Sequence, residues 1–367
     1  MKKLYLLLLI FVAVSELRAE INLDVRKLTA QDGLADNMVL CIHKDKHGFL
    51  WFGTGEGLSR YDGNGMRNFS LLPENEAVMA IQESSDRFFY LQTWGRMYCF
   101  DYLLETSLPF ISETGKEEKL DSSDFLLLED SVLLICRGEQ LQRINLKEGR
   151  KINGKHDIVR IKDEALSKIC LTADRKSVYA ISNIGTVHRI SLQTGEVCSS
   201  VSLFPDKAAY YLSISSCSLY GNYLWITTLG SGLFVYNTET QQTVHLKNPS
   251  DILPTVISHN DVFQVVSLAR NQYLALTWSG YTVLSYEEGQ NEKANWLSQN
   301  VETRMISGYY DPAGILWIGT HGGGVLYSDQ RWSFFTQYHQ ELHNEIGGIA
   351  IGEDHCVYLA TFHQGIL

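Results

Sequence analysis

GFLWFGTGEGLSRYDG (residues 48–63) and GILWIGTHGGGVLYSD (residues 314–329) are one sixteen-residue phrase written twice, 266 positions apart. A weaker copy, YLWITTLGSGLFVYN, occupies residues 223–237. Self-similarity of this kind marks a repeat architecture, in which no unit buries its apolar face alone and each must stack on its neighbours. Aligned on the Thr that closes the apolar run, the position of Trp51 is taken in turn by Tyr90, Leu133, Tyr179, Trp225, Leu274, Trp317 and Tyr358. The intervals are 39, 43, 46, 46, 49, 43 and 41 residues, the period of four-stranded propeller blades.

Helical repeats share that period, but the local pattern excludes them. Each unit consists of short apolar runs rich in Val, Ile, Tyr, Phe, Trp and Leu, punctuated by Gly, Asp and Asn, and no stretch has the spacing of a long amphipathic helix. In the first unit the runs place strands near 38–44, 49–54, 58–61 and 66–71. The expected fold is therefore all-β, a β-propeller of four-stranded antiparallel blades, with seven full units over residues 20–340 and a partial eighth over 341–367. The eighth either opens a further propeller or is completed by an N-terminal strand at 22–28, which would close an eight-bladed ring. Seven plus one is the reading adopted.

Within the repeat, Asp45, Gly48 and Trp51 form a D-x-x-G-x-x-W turn that Asp311, Gly314 and Trp317 restate. There the Asp is suited to bind turn backbone and the Gly to take positive φ. The following Gly53, Thr54, Gly55 and Gly57, like Gly319, Thr320 and Gly322 to Gly324, read as permissive backbone for a second tight hairpin. The glycines lack G-x-G-x-x-G spacing and no βαβ unit follows, which removes a nucleotide loop. The HGGG string at His321 has no G-x-S-x-G nucleophile elbow to accompany it, so an esterase is not indicated.

Composition narrows the partners. The chain has 367 residues, 45% hydrophobic and 11% aromatic, enough for one large core. A net charge of −11 with no Lys/Arg cluster argues against nucleic acid and anionic membrane surfaces. Lys2 and Lys3, an apolar stretch at 4–14 and Ala19 have the layout of a secretory signal at 1–19, and eleven apolar residues are too few to span a bilayer. An exported, periplasmic mature chain is expected. The seven cysteines are scattered and odd in number, and the eleven histidines show no zinc spacing, so neither a disulfide framework, a metal nor another cofactor is expected.

The phrase G-x-L-W-x-G-T-x-x-G-G-L/V, with its closing Asp62 and Asp329, resembles the two-component regulator propeller repeat. The opening residues Arg26 to Leu34 (RKLTAQDGL), followed by 39–45, are similar to the start of the extracytoplasmic sensor of hybrid two-component systems. The resemblance implies two seven-bladed propellers and a β-sandwich outside the membrane, joined to a histidine kinase, receiver and DNA-binding region inside, with glycan fragments as the usual signal. Against that pattern this sequence reads as a sensor fragment without kinase or regulator.

A propeller offers ligands the loops at the ends of its channel. The residue after each aligned Thr falls in such a loop: Gly55, Trp94, Arg137, Asn183, Leu229, Trp278, His321 and Phe362. Trp94, Trp278 and Phe362 are larger than a turn requires, and the two Trp can stack on sugar rings. Arg137, Asn183 and His321 can hydrogen-bond hydroxyls or carboxylates. A turn or inter-blade packing role is the plain alternative for each. The expected partner is an oligosaccharide or other small ligand. A polysaccharide-cleaving propeller is the contrasting class, for which no carboxylate pair stands out, and a docking or homodimerisation propeller is the third.

Overall fold

The computed structural model describes residues 25–70, 76–94, 96–204, 211–248, 257–269, 271–286, 296–300, 303–329, 346–351, 357–361 and 365–366. The signal at 1–19 and Phe362 lie outside them. Seven sheets follow one another along the chain, antiparallel except where Ile111 meets Lys151 in the third, making a seven-bladed β-propeller. Blade one is built from Val39–Lys44, Leu50–Thr54, Gly57–Tyr61 and Met66–Phe69, within a few residues of the strands the sequence indicates. Blade three gains two short strands, Phe110–Ile111 and Glu117–Glu118, at its outer edge.

Blade seven has the composite origin that closes the ring. Met305–Tyr310, Ile315–Thr320 and Val325–Asp329 supply three strands, and the fourth is the N-terminal Arg26–Leu28, paired antiparallel with Leu28 opposite Val325 and Arg26 opposite Tyr327. This overturns the eight-bladed alternative. The N-terminal strand covers the otherwise unpaired edge of Val325–Asp329 and is not available to an eighth blade. The remaining strands, Ile346–Ile351, Val357–Thr361 and Gly365–Ile366, form a three-stranded sheet belonging to a second compact unit, separate from the unit Asp24–Ser328.

Each blade's first strand lies against the first strand of the next, and that of blade seven returns to that of blade one. Hydrogen bonds cross the seams. Cys41 Sγ donates to Val78 O, Leu127 N to Gln82 Oε1, Ile169 N to Asp124 Oδ2, Ser215 Oγ to Val262 O, Gly308 N to Gln264 Oε1 and Ser307 Oγ to Val39 O. The core is divided in the same way. Trp51, Leu58 and Phe69 of blade one pack with Phe89, Leu91 and Phe100 of blade two, and comparable clusters fill the following seams. Because neighbours cover both faces of a blade, Leu50–Thr54 is buried at every residue. That is why it reads as an unbroken apolar run and not as an alternating one.

The glycines divide into two kinds, which corrects the hairpin reading of Gly53 and Gly319. Both lie inside second strands. A Cβ on Gly53 would stand 2.5 Å from Val78 O of blade two, and one on Gly319 would stand 2.6 Å from Val39 O of blade one. They are small because the first strand of their own blade, through Cys41 and Ser307, and the backbone of the next blade both close on the position. Positive φ is needed at Gly57 (103°) and Gly324 (80°), which turn the hairpins. The repeat Thr has its own task there: Thr54 Oγ1 donates to Gly57 O, Thr277 Oγ1 to Gly280 O and Thr320 Oγ1 to Gly324 O.

Candidate functional site

Antiparallel pairing sets the end of the ring at which the candidates gather. Val39 pairs with Thr54 and Leu58 with Phe69, so the second hairpin lies at the same end as the segment entering the first strand. The residue after the Thr is thereby opposed to the residue just before that first strand. Gly55 N donates to Met38 O, Asn183 N to Ala165 O, Trp278 N to Asp261 O and His321 N to Arg304 O.

Of the expected site residues, the structure brings Trp278 and His321 together, with ring centroids 5.9 Å apart and planes inclined at 52°. They lie on consecutive blades, six and seven. Phe263 stacks on Trp278 at 6.0 Å and 22°, and the Arg304 guanidinium sits 3.8 Å from the Trp278 ring centroid. Trp278 and Phe263 are half-buried, whereas Arg304 and His321 are exposed. A cation held over an indole beside an imidazole is a preorganised polar group on an apolar floor. Beside it His259 Nδ1 accepts from Asp261 N and stands 3.7 Å from Asp261 Oδ2.

The other candidates are dispersed. Trp94 on blade two is 73% exposed. Arg137 ends its strand, half-exposed, 3.8 Å from an equally exposed Asp121; such surface pairs contribute little to stability. Asn183 is accounted for by structure, since its Oδ1 accepts from Ala165 N at 3.2 Å and its backbone O from Leu212 N. Leu229 and Tyr211 add exposed apolar surface at the same end of blade five. Arg304 and Phe263 were not among the expected residues. The register that opposes Arg304 to His321 would have found the arginine, because Met305 pairs with Thr320.

Fold and site together define a seven-bladed propeller with an aromatic and cationic cluster at the channel end of two adjoining blades. The two-component regulator propeller family matches residues 33–56, so the chain carries that repeat. A 70-residue stretch is 33% identical to histidine kinase P4 of Formosa agariphila, a match covering 19% of this chain and 5% of that kinase.

Among solved structures, the extracellular domains of two B. thetaiotaomicron two-component systems share the fold. One has a TM-score of 0.60 at 18% identity over 92% of this chain and 46% of that one. The other has 0.62 at 17% over 92% and 44%, and both systems are described as hybrid. Virginiamycin B lyase of Staphylococcus aureus is also similar, with a TM-score of 0.58 at 13% identity, covering 83% of this chain and 98% of the lyase. The chain thus spans less than half of the extracellular domains it resembles. Among the described residues no helix is long and apolar enough to cross a membrane.

Proposed function

We propose that this chain is the ligand-sensing, extracytoplasmic propeller of a hybrid two-component system, exported by its first nineteen residues, and that its signal is an oligosaccharide. The observation that carries the reading is the Trp278, Arg304 and His321 cluster, seated at one end of a propeller whose fold is that of extracellular two-component domains. A sensor needs a site that orders a ligand without reacting with it. A guanidinium held on an indole beside an imidazole offers fixed polar groups over apolar surface, and saccharide oxygens demand such donors.

The test is calorimetric titration of the purified chain with plant, host and microbial oligosaccharides, with product analysis on the same samples. Saturable binding that leaves the saccharide intact is expected. Cleavage of the saccharide would replace sensing with an enzymatic role, to which the lyase's fold gives a precedent. Self-association with no saccharide bound would point to a docking propeller.

A further inference from the structure

Arginines at the hairpin end of the ring fall into two groups. Arg96 reaches Glu76 at 3.4 Å, Arg137 lies 3.8 Å from Asp121, and Arg160 donates to Glu139 at 2.8 Å. In a chain of net charge −11 this pairing is the ordinary outcome. Arg304 differs: among the described residues no carboxylate lies within 4.0 Å of it, and its guanidinium rests on the Trp278 ring. The ring face that a sugar would use is therefore taken by a cation. His321 stands at the same indole, and its backbone N–H donates to Arg304 O at 3.0 Å, which fixes the backbone that carries both side chains.

An exposed guanidinium that no described carboxylate reaches keeps its planar fork of donors for an oxyanion, the geometry that binds carboxylate or sulfate through two hydrogen bonds. Stacking on Trp278 restricts its rotamers before ligand arrives, so less freedom is lost on binding. We propose that Arg304, seated on Trp278 and flanked by His321, is the subsite for the oxyanion of an acidic saccharide, a uronic acid or a sulfate ester. Trp278 then positions the arginine instead of stacking on the sugar. This inference rests on the sensing role proposed above and narrows its ligand to charged glycans.

The experiment titrates the full chain and its Arg304→Gln, Arg304→Lys and Trp278→Leu variants with four probes. These are a trigalacturonate, its carboxyl-reduced neutral counterpart, a sulfated galactan oligosaccharide and its desulfated form. Arg304 is exposed, so unchanged thermal melting is the control for folding. One charged probe is expected to bind, its neutral counterpart roughly 10- to 100-fold more weakly, as befits loss of a charge-assisted hydrogen bond. Arg304→Gln should lose a similar factor for the charged probe and almost nothing for the neutral one, so that the two changes are not additive. Arg304→Lys should recover part of the loss, and binding should weaken with salt. Whichever charged probe binds tells carboxylate from sulfate.

Equal binding of charged and neutral probes, or indifference to Arg304→Gln, overturns the oxyanion subsite while leaving saccharide sensing intact. No binding by any probe or by the wider panel overturns both.

Discussion

The two full copies of the repeat phrase meet across the seam between blades seven and one, and they use the same residues differently. In blade one, Asp45 Oδ1 accepts from the backbone N–H groups of His47 and Phe49, while Oδ2 accepts from Trp51 Nε1 at 2.8 Å. The carboxylate ties the turn to the indole six residues on, inside its own blade. In blade seven, Asp311 Oδ1 accepts from Ala313 N, but Oδ2 receives Lys44 Nζ at 2.5 Å from blade one. Trp317 Nε1 is left with no hydrogen-bond partner among the described residues. The third copy completes the series: the position six before Trp225 is Leu219, and Trp225 Nε1 likewise has no partner among the described residues. A repeat thus fixes shape, while its polar groups are free to serve the blade or the ring.

Breaking the comparison at the ring systems should give the largest effect. Trp51 is wholly buried against Phe69, Phe89 and Phe100, so Trp51→Ala is expected to cost about 3–5 kcal/mol. Trp317, 5% exposed, should lie toward the lower end of that range, as denaturant melts of both variants would show. Phe in place of each Trp sharpens the contrast. Trp51→Phe strands a buried carboxylate oxygen and should cost about 1–3 kcal/mol, whereas Trp317→Phe breaks no hydrogen bond and should cost less than about 1 kcal/mol beyond its change in packing. Equal losses would mean that Asp45 contributes nothing through the indole.

Removing the cross-seam partner comes next. Lys44→Met leaves Asp311, whose side chain is 6% exposed, without its cation. Because Lys44 is 29% exposed, the loss of a buried pair's energy must be discounted for solvent, to roughly 1–3 kcal/mol. The same melts should show Asp45→Asn acting independently of Lys44→Met, since Asp45 holds its own turn and the Trp51 indole while Lys44 reaches across the seam to Asp311. Non-additive losses would join the copies into one network.

The smallest effect belongs to the hydrogen bond that the seams share. Cys41 donates to Val78 O across seam one-two, and Ser307 donates to Val39 O across seam seven-one. Cys41→Ser should therefore shift stability by less than about 1 kcal/mol, since a hydroxyl already performs this task. Burial pushes the Cys41 thiol up to about 12. At pH 8, below that value, it is a neutral thiol and should resist alkylation, while Cys198, exposed among the described cysteines, is labelled first. Mass spectrometry of the native chain after brief alkylation decides it.

The blade strands were legible in the sequence because each apolar run and turn is local. Two features were not. Gly53 and Gly319 look like turn residues when only their neighbours in sequence are considered, yet the reason for them lies in Cys41 and Ser307 on the paired strand and in Val78 and Val39 of other blades. Likewise the N-terminal strand pairs with residues almost 300 positions away, and nothing in RKL announces whether it completes a seventh or an eighth sheet. Within the candidate site, Trp278 and His321 stood out by size and chemistry in a loop. Arg304 did not, because its place depends on the register of a strand pair. Of the dispersed candidates, Asn183 is occupied by capping its own blade.

The N-terminal strand closes a seven-bladed ring, and hydrogen exchange on the full chain tests that closure most directly. If Arg26–Leu28 covers it, Val325–Asp329 is an interior strand and should exchange as slowly as Leu233–Asn237, which is flanked on both sides in blade five. Exchange as fast as that of the outer strand Thr243–Leu246 would contradict closure by the N-terminal strand.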